Sequence, residues 1–311
     1  MLKNPSDSSG IDGNPICKCP EPDKPTTWAF FSAPKNEIDV IAHRGGADQW
    51  PGETIFAFNQ ARTSGVDVLE LDIWGTSDHP TELVLMHWSK LKKATDGNQR
   101  LPHCTLAELQ GLNAAFRWTP DGGETFPLRK HQPRIGVARL ADVFKQFEEM
   151  RMVIELKQKQ PSIVEPFLNL IRDYGMRDKV LIASFYSKVL REIRSKCPHI
   201  ATSTSSWETL RFYVQSYLFK GNYQPSAQAI QMRSRFPLFR SWLLSRGFVR
   251  RAHDLGYKVH AWTVDAPNDM QRAIVCGVDG IITDFPGALL AILQEPERKN
   301  CLPTERFGEM K

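Results

Sequence analysis

Short apolar runs recur along this chain and alternate with stretches whose apolar residues are spaced three and four apart. Runs of about four to eight apolar residues are typical of strands buried on both faces, and the wider spacing is typical of amphipathic helices. We predict strands at residues 39–44, 68–74, 82–87, 152–157, 179–185, 200–204, 228–232, 258–264 and 279–283.

Helical stretches lie between most of these strands, at residues 53–63, 105–112, 140–149, 163–174, 187–195, 248–255 and 267–276. This alternation predicts an α/β fold, and 311 residues are enough for a TIM-type (β/α)8 barrel of about 250 residues. The predicted strands are one too many for such a barrel. Because the connection between residues 73 and 82 is too short for a parallel crossover, we expect an irregular or antiparallel hairpin there.

Charged residues follow several strands at the point where the apolar run ends. The motifs are His43-Arg44-Gly45, Glu70-Leu71-Asp72, His87 and Glu155-Leu156-Lys157. Charged groups belong in such strands only when they are paired or bind a metal, and the C-terminal ends of barrel strands are the usual catalytic position. We therefore expect these side chains to meet at one rim of the barrel.

The three acidic residues among them suit a hard cation. Glu70 and Asp72 are two apart, so both carboxylates point to one face of a strand. Together with Glu155 they form an all-oxygen set for one divalent cation, Mg²⁺ or Ca²⁺. The alternative is a buried ionic network in which Arg44 and Lys157 pair with the carboxylates.

His43 and His87 are candidates for a general base and a general acid, because imidazole titrates near neutral pH. His260 also lies in a strand-like run, and we interpret it as a core or second-layer residue. The five other histidines lie in loops or helical stretches, where nothing in the sequence gives them a role.

These motifs occur in an order that resembles the glycerophosphodiester phosphodiesterase family, of the PLC-like phosphodiesterase architecture. The resemblance rests on IAHRGG, PGETIFAF, GVDVLELDIW, VIELK, HAWTVD and GVDGIITDFP, and it covers residues 38–295. It implies a TIM-type barrel that hydrolyses glycerophosphodiesters to sn-glycerol 3-phosphate and an alcohol. The implied roles are acid/base catalysis by His43 and His87, substrate binding by Arg44, Lys157 and Trp262, and divalent-cation binding by Glu70, Asp72 and Glu155.

Three positions depart from the family pattern. Pro51-Gly52-Glu53-Thr54 stands where many members have Pro-Glu-Asn-Thr, so Glu53 either reaches the site from the loop or caps the following helix. Trp88 replaces an aspartate after His87; it suits an apolar or sugar-like group near the leaving alcohol, or packs within the loop. Residues 93–97 read KATDG in place of Arg-Thr-Thr-x-Gly, a conservative change.

The remaining sequence fits one catalytic domain at 38–295, with an irregular N-terminal tail at 1–37 and a C-terminal tail at 296–311. Neither a signal-peptide pattern nor an apolar run of about 18 residues is present. Six scattered cysteines do not form a disulfide framework, so we expect reduced thiols and a cytoplasmic protein, unless an export signal has been removed. The sequence does not determine an oligomeric state.

A formal charge of +5 suits anionic diesters or a membrane surface, and no motif indicates nucleic-acid binding. Residues 207–251 interleave basic with aromatic residues, a pattern found both in ordinary barrel helices and in peripheral membrane contacts. This segment keeps open an alternative enzyme, a lysophospholipase D that acts on lysophospholipids. A catalytically inactive binding barrel is a third hypothesis.

Overall fold

The computed structural model describes residues 28–32, 36–215, 223, 225–234 and 244–294. Eight parallel strands follow one another around a barrel, in the order β6-β5-β4-β2-β1-β9-β8-β7. The strands are β1 (Asp39–Ala42), β2 (Val68–Gly75), β3 (Leu83–Leu85), β4 (Arg151–Leu156), β5 (Val180–Ala183), β6 (Ala201–Thr202), β7 (Ala229–Arg233), β8 (Lys258–Trp262) and β9 (Gly280–Thr283). A parallel bridge between Ser203 and Ala229 joins the two ends of this order. The predicted TIM-type α/β barrel is confirmed.

The ninth strand, β3, is the hairpin that the short connection predicted. It pairs antiparallel with the end of β2, with Ile73 opposite Leu85 and Gly75 opposite Leu83. β2 extends beyond the barrel, and β3 runs back along it, so that the backbone N–H of Met86 donates to the carbonyl of Asp72 (3.0 Å). His87 therefore returns to the rim although its strand runs against all the others.

Helices cover the outside of the barrel. Those in the described ranges are α1 (Ile55–Ser64), α2 (Leu106–Gln110), α3 (Leu140–Gln146), α4 (Val164–Asp173), α5 (Ser187–Lys196), α6 (Ser206–Val214), α7 (Arg246–Asp254), α8 (Pro267–Cys276) and α9 (Pro286–Gln294). α1 begins two residues later than predicted, because the side chain of Thr54 is its N-cap and accepts from the backbone N–H of Ala57 (3.1 Å). It ends at Gly65, whose φ of 88° suits a glycine.

The N-terminal end of the barrel is closed by a floor that the pattern of apolar runs did not predict. Phe30, in a turn at Ala29–Phe31, is 1% exposed and packs on the residues that fill the barrel interior. Arg151 fixes this turn, since it donates to the carbonyl of Phe30 (3.1 Å) and pairs with Asp39 (2.7 Å). His260 is fully buried next to Phe31, in agreement with its interpretation as a core residue.

Residues 28–32 thus belong to the predicted N-terminal tail but lie against the barrel. The described residues do not include 1–27, 33–35 or the predicted C-terminal tail. They also leave out much of the basic and aromatic segment, at 216–222, 224 and 235–243. Within the described ranges, every helix is too short or too polar to span a bilayer.

Candidate functional site

A tight turn at His43–Gly45 directly follows β1 and places the first motif on the rim. Arg44 has a φ of 51°, in the left-handed region that few non-glycine residues adopt, and such strain concentrates at functional sites. Its backbone N–H donates to Glu70 Oε2 (2.9 Å), which ties the turn to β2. The sequence of β1 therefore delivers an imidazole and a guanidinium to the mouth of the barrel.

The three predicted cation ligands lie together. β2 and β4 are neighbours in register, so that Asp72 stands opposite Glu155, and Glu70 lies two residues earlier on the same face of β2. Each of the three offers an oxygen within 4.8 Å of those of the other two. Glu70 and Asp72 are buried, and Glu155 is partly buried.

Two cationic side chains reach this cluster. Lys157 Nζ lies 3.0 Å from Asp72 Oδ1 and 2.8 Å from Glu155 Oε2, and Arg44 Nε lies 3.2 Å from Asp72 Oδ2. Burial would raise the pKa of Asp72, but Lys157 and Arg44 outweigh it and lower that pKa. The pKa of Glu155 is raised, by burial and by Asp72, despite its lysine partner.

The two cations do not satisfy every carboxylate oxygen of the cluster. Within the described part of the chain, Glu155 Oε1 is buried and receives no hydrogen bond. Because unpaired buried carboxylate oxygens are costly, the cluster has ligand capacity left for a cation. The donor set is all oxygen, which fits Mg²⁺ or Ca²⁺.

Glu53 joins the same cluster from the loop before α1. Its Oε1 accepts from the backbone N–H of Asp72 (3.0 Å), and the residue is 5% exposed. Thr54, and not Glu53, caps the helix. Of the two interpretations of this departure from the family pattern, the structure favours the loop residue that reaches the site.

The two histidines lie in different surroundings. His43 Nδ1 is 2.7 Å from Asp284 Oδ1, and its Nε2 is 3.9 Å from Glu70 Oε2. Burial lowers the pKa of His43, but Glu70 and Asp284 outweigh it, so that this pKa is raised. Burial and the charge of Arg44 lower the pKa of His87 to about 3.

The sequence profile of the Glycerophosphoryl diester phosphodiesterase family matches residues 43–288, most of the chain. The chain belongs to this family. The resemblance predicted from the motifs is confirmed, and with it the prediction of an enzyme.

The chain has relatives among bacterial and animal proteins. A glycerophosphodiester phosphodiesterase of Caldanaerobacter subterraneus subsp. tengcongensis is 29% identical over 264 residues, which cover 82% of this chain and 98% of that protein. Lysophospholipase D GDPD3 of Mus musculus is 23% identical over 294 residues, which cover 87% and 86% respectively.

Solved structures of the family share the fold. The glycerophosphoryl diester phosphodiesterase domain of a Mycobacterium tuberculosis protein superposes with a TM-score of 0.72 at 23% identity, and covers 83% of this chain and 99% of that one. An Oleispira antarctica phosphodiesterase, solved with the product sn-glycerol-3-phosphate, has a TM-score of 0.62 at 21% identity, with 83% and 97% covered.

A cavity of about 640 Å³ opens beside the charged cluster of this family member. Both histidines, Arg44 and Lys157 line it. Trp262, at the end of β8, also lines it, and its ring meets that of Phe185 edge-on with centroids 5.7 Å apart. The sequence-predicted tryptophan is thus at the pocket.

Trp88 lies beside the second histidine and also contacts its own loop. Its ring is edge-on to that of His87 with centroids 4.1 Å apart, and 47% of the residue is exposed. Lys93, from the third departure, places its ammonium 5.9 Å from the centre of the same ring. The aromatic ring therefore shields one side of His87 from solvent.

Asp284 is the site residue that sequence reasoning missed. It directly follows β9, so it satisfies the same rule that identified the other rim residues: a polar side chain where an apolar run ends. Its backbone N–H donates to Asp265 Oδ1 (2.9 Å), which fixes the carboxylate that contacts His43.

Proposed function

We propose that this chain hydrolyses glycerophosphodiesters to sn-glycerol 3-phosphate and an alcohol, with a divalent cation and two histidines. The observation that carries the proposal is the convergence of His43, His87, the acidic cluster and two cationic side chains on one cavity. The Oleispira antarctica relative, solved with sn-glycerol-3-phosphate, supports the product.

Glu70, Asp72 and Glu155 would hold the cation, Mg²⁺ or Ca²⁺. Bound there, the cation would supply positive charge to the non-bridging phosphate oxygens. Arg44 and Lys157 line the cavity, and they bind the phosphodiester and stabilise the negative charge that develops on its oxygens. This charge is greater in the transition state than in the bound substrate, so these contacts accelerate the reaction.

The histidines divide the proton transfers. Because its pKa is low, His87 is neutral at neutral pH and free to accept a proton, and we assign it the role of general base. Asp284 holds the Nδ1 side of His43, so that Nε2 faces the site and donates a proton to the leaving alkoxide. His87 deprotonates the nucleophile, which is water or the 2-hydroxyl of the glycerol moiety.

A second candidate function is supported by the apolar residues that line the cavity. They include Ala183, Phe185, Leu210, Met232 and Trp262, and we call them the apolar wall. A glycerol phosphate group needs only the charged residues, whereas an acyl chain would bury the apolar wall. A lysophospholipase D acting on lysophospholipids uses both, and the mouse relative bears that name.

The mouth of the cavity also supports peripheral membrane contact. Leu210 is 51% exposed and Phe185 is 48% exposed. Trp207, 66% exposed, lies three residues before Leu210 on α6 and therefore on the same helical face. Exposed aromatic and aliphatic side chains at a pocket entrance suit a lipid surface, from which a lysolipid would enter.

The test compares product release from glycerophosphocholine and lysophosphatidylcholine, with Mg²⁺, with Ca²⁺ and with chelator. Cation-dependent glycerol 3-phosphate from the short diester supports the main proposal. Choline released only from the lysolipid would replace it with lysophospholipase D. No product from either substrate would favour the inactive binding barrel.

Leu210→Asp separates the two enzyme functions further. It places a charge in the apolar wall, so it should lower turnover of the lysolipid at least tenfold and leave the short diester nearly unchanged. Tyr174→Asp is the control for introducing one carboxylate at an exposed apolar position, because Tyr174 is 39% exposed but follows α4 and does not line the cavity. Equal loss on both substrates would contradict an acyl-binding wall.

A further inference from the structure

Glu53, in the PGETIFAF motif at the position where many family members have Asn, has an unusual backbone conformation. Its φ is 63°, and its backbone N–H donates to the carbonyl of Arg44 (3.0 Å), which itself has a left-handed backbone. Gly52 makes this close approach possible, since a Cβ there would lie 3.1 Å from that of Arg44. Two adjacent loops are thus folded tightly enough to bring a glutamate under the rim.

The carboxylate of Glu53 is buried without a full set of partners. One oxygen accepts the backbone N–H of Asp72 in the middle of β2 (3.0 Å). The other, Oε2, is buried and receives no hydrogen bond from the described part of the chain. Burial, followed by the charges of Asp72 and Glu70, raises the pKa of Glu53 well above its ordinary value.

The charges of the cluster do not balance among the side chains. Glu53, Glu70, Asp72 and Glu155 are four carboxylates, whereas Arg44 and Lys157 supply two positive charges. A protonated His43 and the carboxylate of Asp284, 2.7 Å apart, cancel each other and leave this count unchanged. When all are ionised, two negative charges remain, and one divalent cation compensates both. Without Glu53 the same cation would leave an excess positive charge before substrate binds.

We propose that Glu53, contributed by the loop before α1, is a fourth carboxylate of the cation site, one that supports the site from beside the three strand carboxylates whose oxygens lie within 4.8 Å of one another. This inference rests on the cation of the proposed function and extends it to a residue that departs from the family motif. It assigns Glu53 two tasks: one oxygen fixes the backbone of Asp72, and the other adds negative charge next to the cation.

The competing explanation is structural, in which Glu53 serves only as the acceptor for the N–H of Asp72. Glu53→Gln distinguishes the two, because the amide oxygen of Gln keeps that hydrogen bond while the negative charge is lost. Glu53→Asn is a second variant, and it introduces the residue that many family members have at this position, before Thr54. Asn tolerates a positive φ better than most residues.

Isothermal titration with Mg²⁺ and with Ca²⁺, in the absence of substrate, gives the deciding measurement. We expect both variants to bind the cation about 10- to 100-fold more weakly than the wild type, the range seen when a residue supporting a metal site is lost. The cation-induced rise in melting temperature should shrink, while the cation-free melting temperature of Glu53→Gln should not fall. Glu149→Gln is the control for loss of one carboxylate, since Glu149 is exposed and pairs with Arg62.

Two different outcomes would overturn the inference, one by excluding the role of Glu53 and the other by excluding the cation itself. Wild-type affinity in Glu53→Gln, or in Glu53→Asn if the first variant does not fold, leaves the proposed cation site intact and makes Glu53 structural. A wild-type protein that binds neither cation removes the cation from the proposed function itself, and the inference fails with it.

Discussion

The contact between Asp284 and His43 offers the sharpest perturbation of the proposed proton transfer. Asp284→Asn keeps the size of the side chain but removes its charge. In the wild type, Asp284 Oδ1 is 2.7 Å from His43 Nδ1, and the pair is only 16% and 14% exposed. The amide can still accept one hydrogen bond, but it no longer stabilises a charged imidazolium.

The size of the effect follows from the two kinds of hydrogen bond. A bond to a charged group contributes about 1.5–3 kcal/mol, against about 0.5–1.5 kcal/mol for a neutral one. The difference, about 1–2 kcal/mol, corresponds to a fall in kcat/KM of roughly 5- to 30-fold. We expect this loss to appear mainly in kcat, because Asp284 orients His43 and does not line the cavity.

The pH profile supplies a readout that a merely structural role would not move. Asp284 raises the pKa of His43, so its removal lowers that pKa. If His43 donates the proton, it must be protonated at the start of the reaction, and the alkaline limb of kcat/KM depends on its pKa. That limb should therefore move to lower pH in Asp284→Asn.

Asp279→Asn is the matched control. Asp279 Oδ2 lies 2.7 Å from His253 Nε2, the same separation as between Asp284 and His43, and His253 is 40% exposed and does not line the cavity. This variant should lose stability but keep the wild-type pH profile. Unchanged kcat/KM and an unmoved alkaline limb in Asp284→Asn, with the fold verified by circular dichroism, would refute the assignment of His43 as the acid.

Two further predictions concern stability. Thr54→Ala removes the cap that receives the N–H of Ala57 and should lower the free energy of unfolding by about 1 kcal/mol in urea titrations; no change would mean that α1 does not depend on this cap. In chelator, the melting temperature should fall as the pH rises from about 4.5 to about 8. The pKa of Glu155 is raised to about 8 in the folded state. In this pH range the unfolded protein has already lost the proton of Glu155 while the folded protein still binds it, so a rise in pH favours unfolding. Divalent cation should reduce this fall, and a flat cation-free profile would contradict the charge balance of the cluster.

Most of the barrel could be predicted because its strands are buried on both faces. Such strands give continuous apolar runs that end abruptly in charge, and the same ends define the rim. The adjacency of Asp72 and Glu155 also depends on β3, because β2 and β4 are neighbours in the barrel only if the strand between them is set aside as a hairpin. The short connection after Ile73 carried that information.

The parts that could not be predicted depend on single backbone torsions and on packing between distant segments. The pattern alone did not decide whether Glu53 faces the helix or the site, because its direction is set by a φ of 63° and by a hydrogen bond to Arg44. The floor formed by Phe30 was missed for a similar reason, since the apolar run from Trp28 to Phe31 is too short to show the period of a strand or a helix. Asp284 differs from both, as the strand-end rule applies to it.

The ionic network and the cation site, which were alternatives in the sequence, involve the same residues in the structure. Arg44 and Lys157 contact Asp72 and also line the cavity that the phosphate would enter. On the proposed function, these two side chains have two anionic partners, the carboxylates and the substrate. A divalent cation among the carboxylates would weaken their electrostatic attraction to Arg44 and Lys157. The positive charge of both side chains would then be available to the phosphodiester. Cation affinity and substrate affinity should then be coupled, and by linkage each should strengthen the other by the same factor.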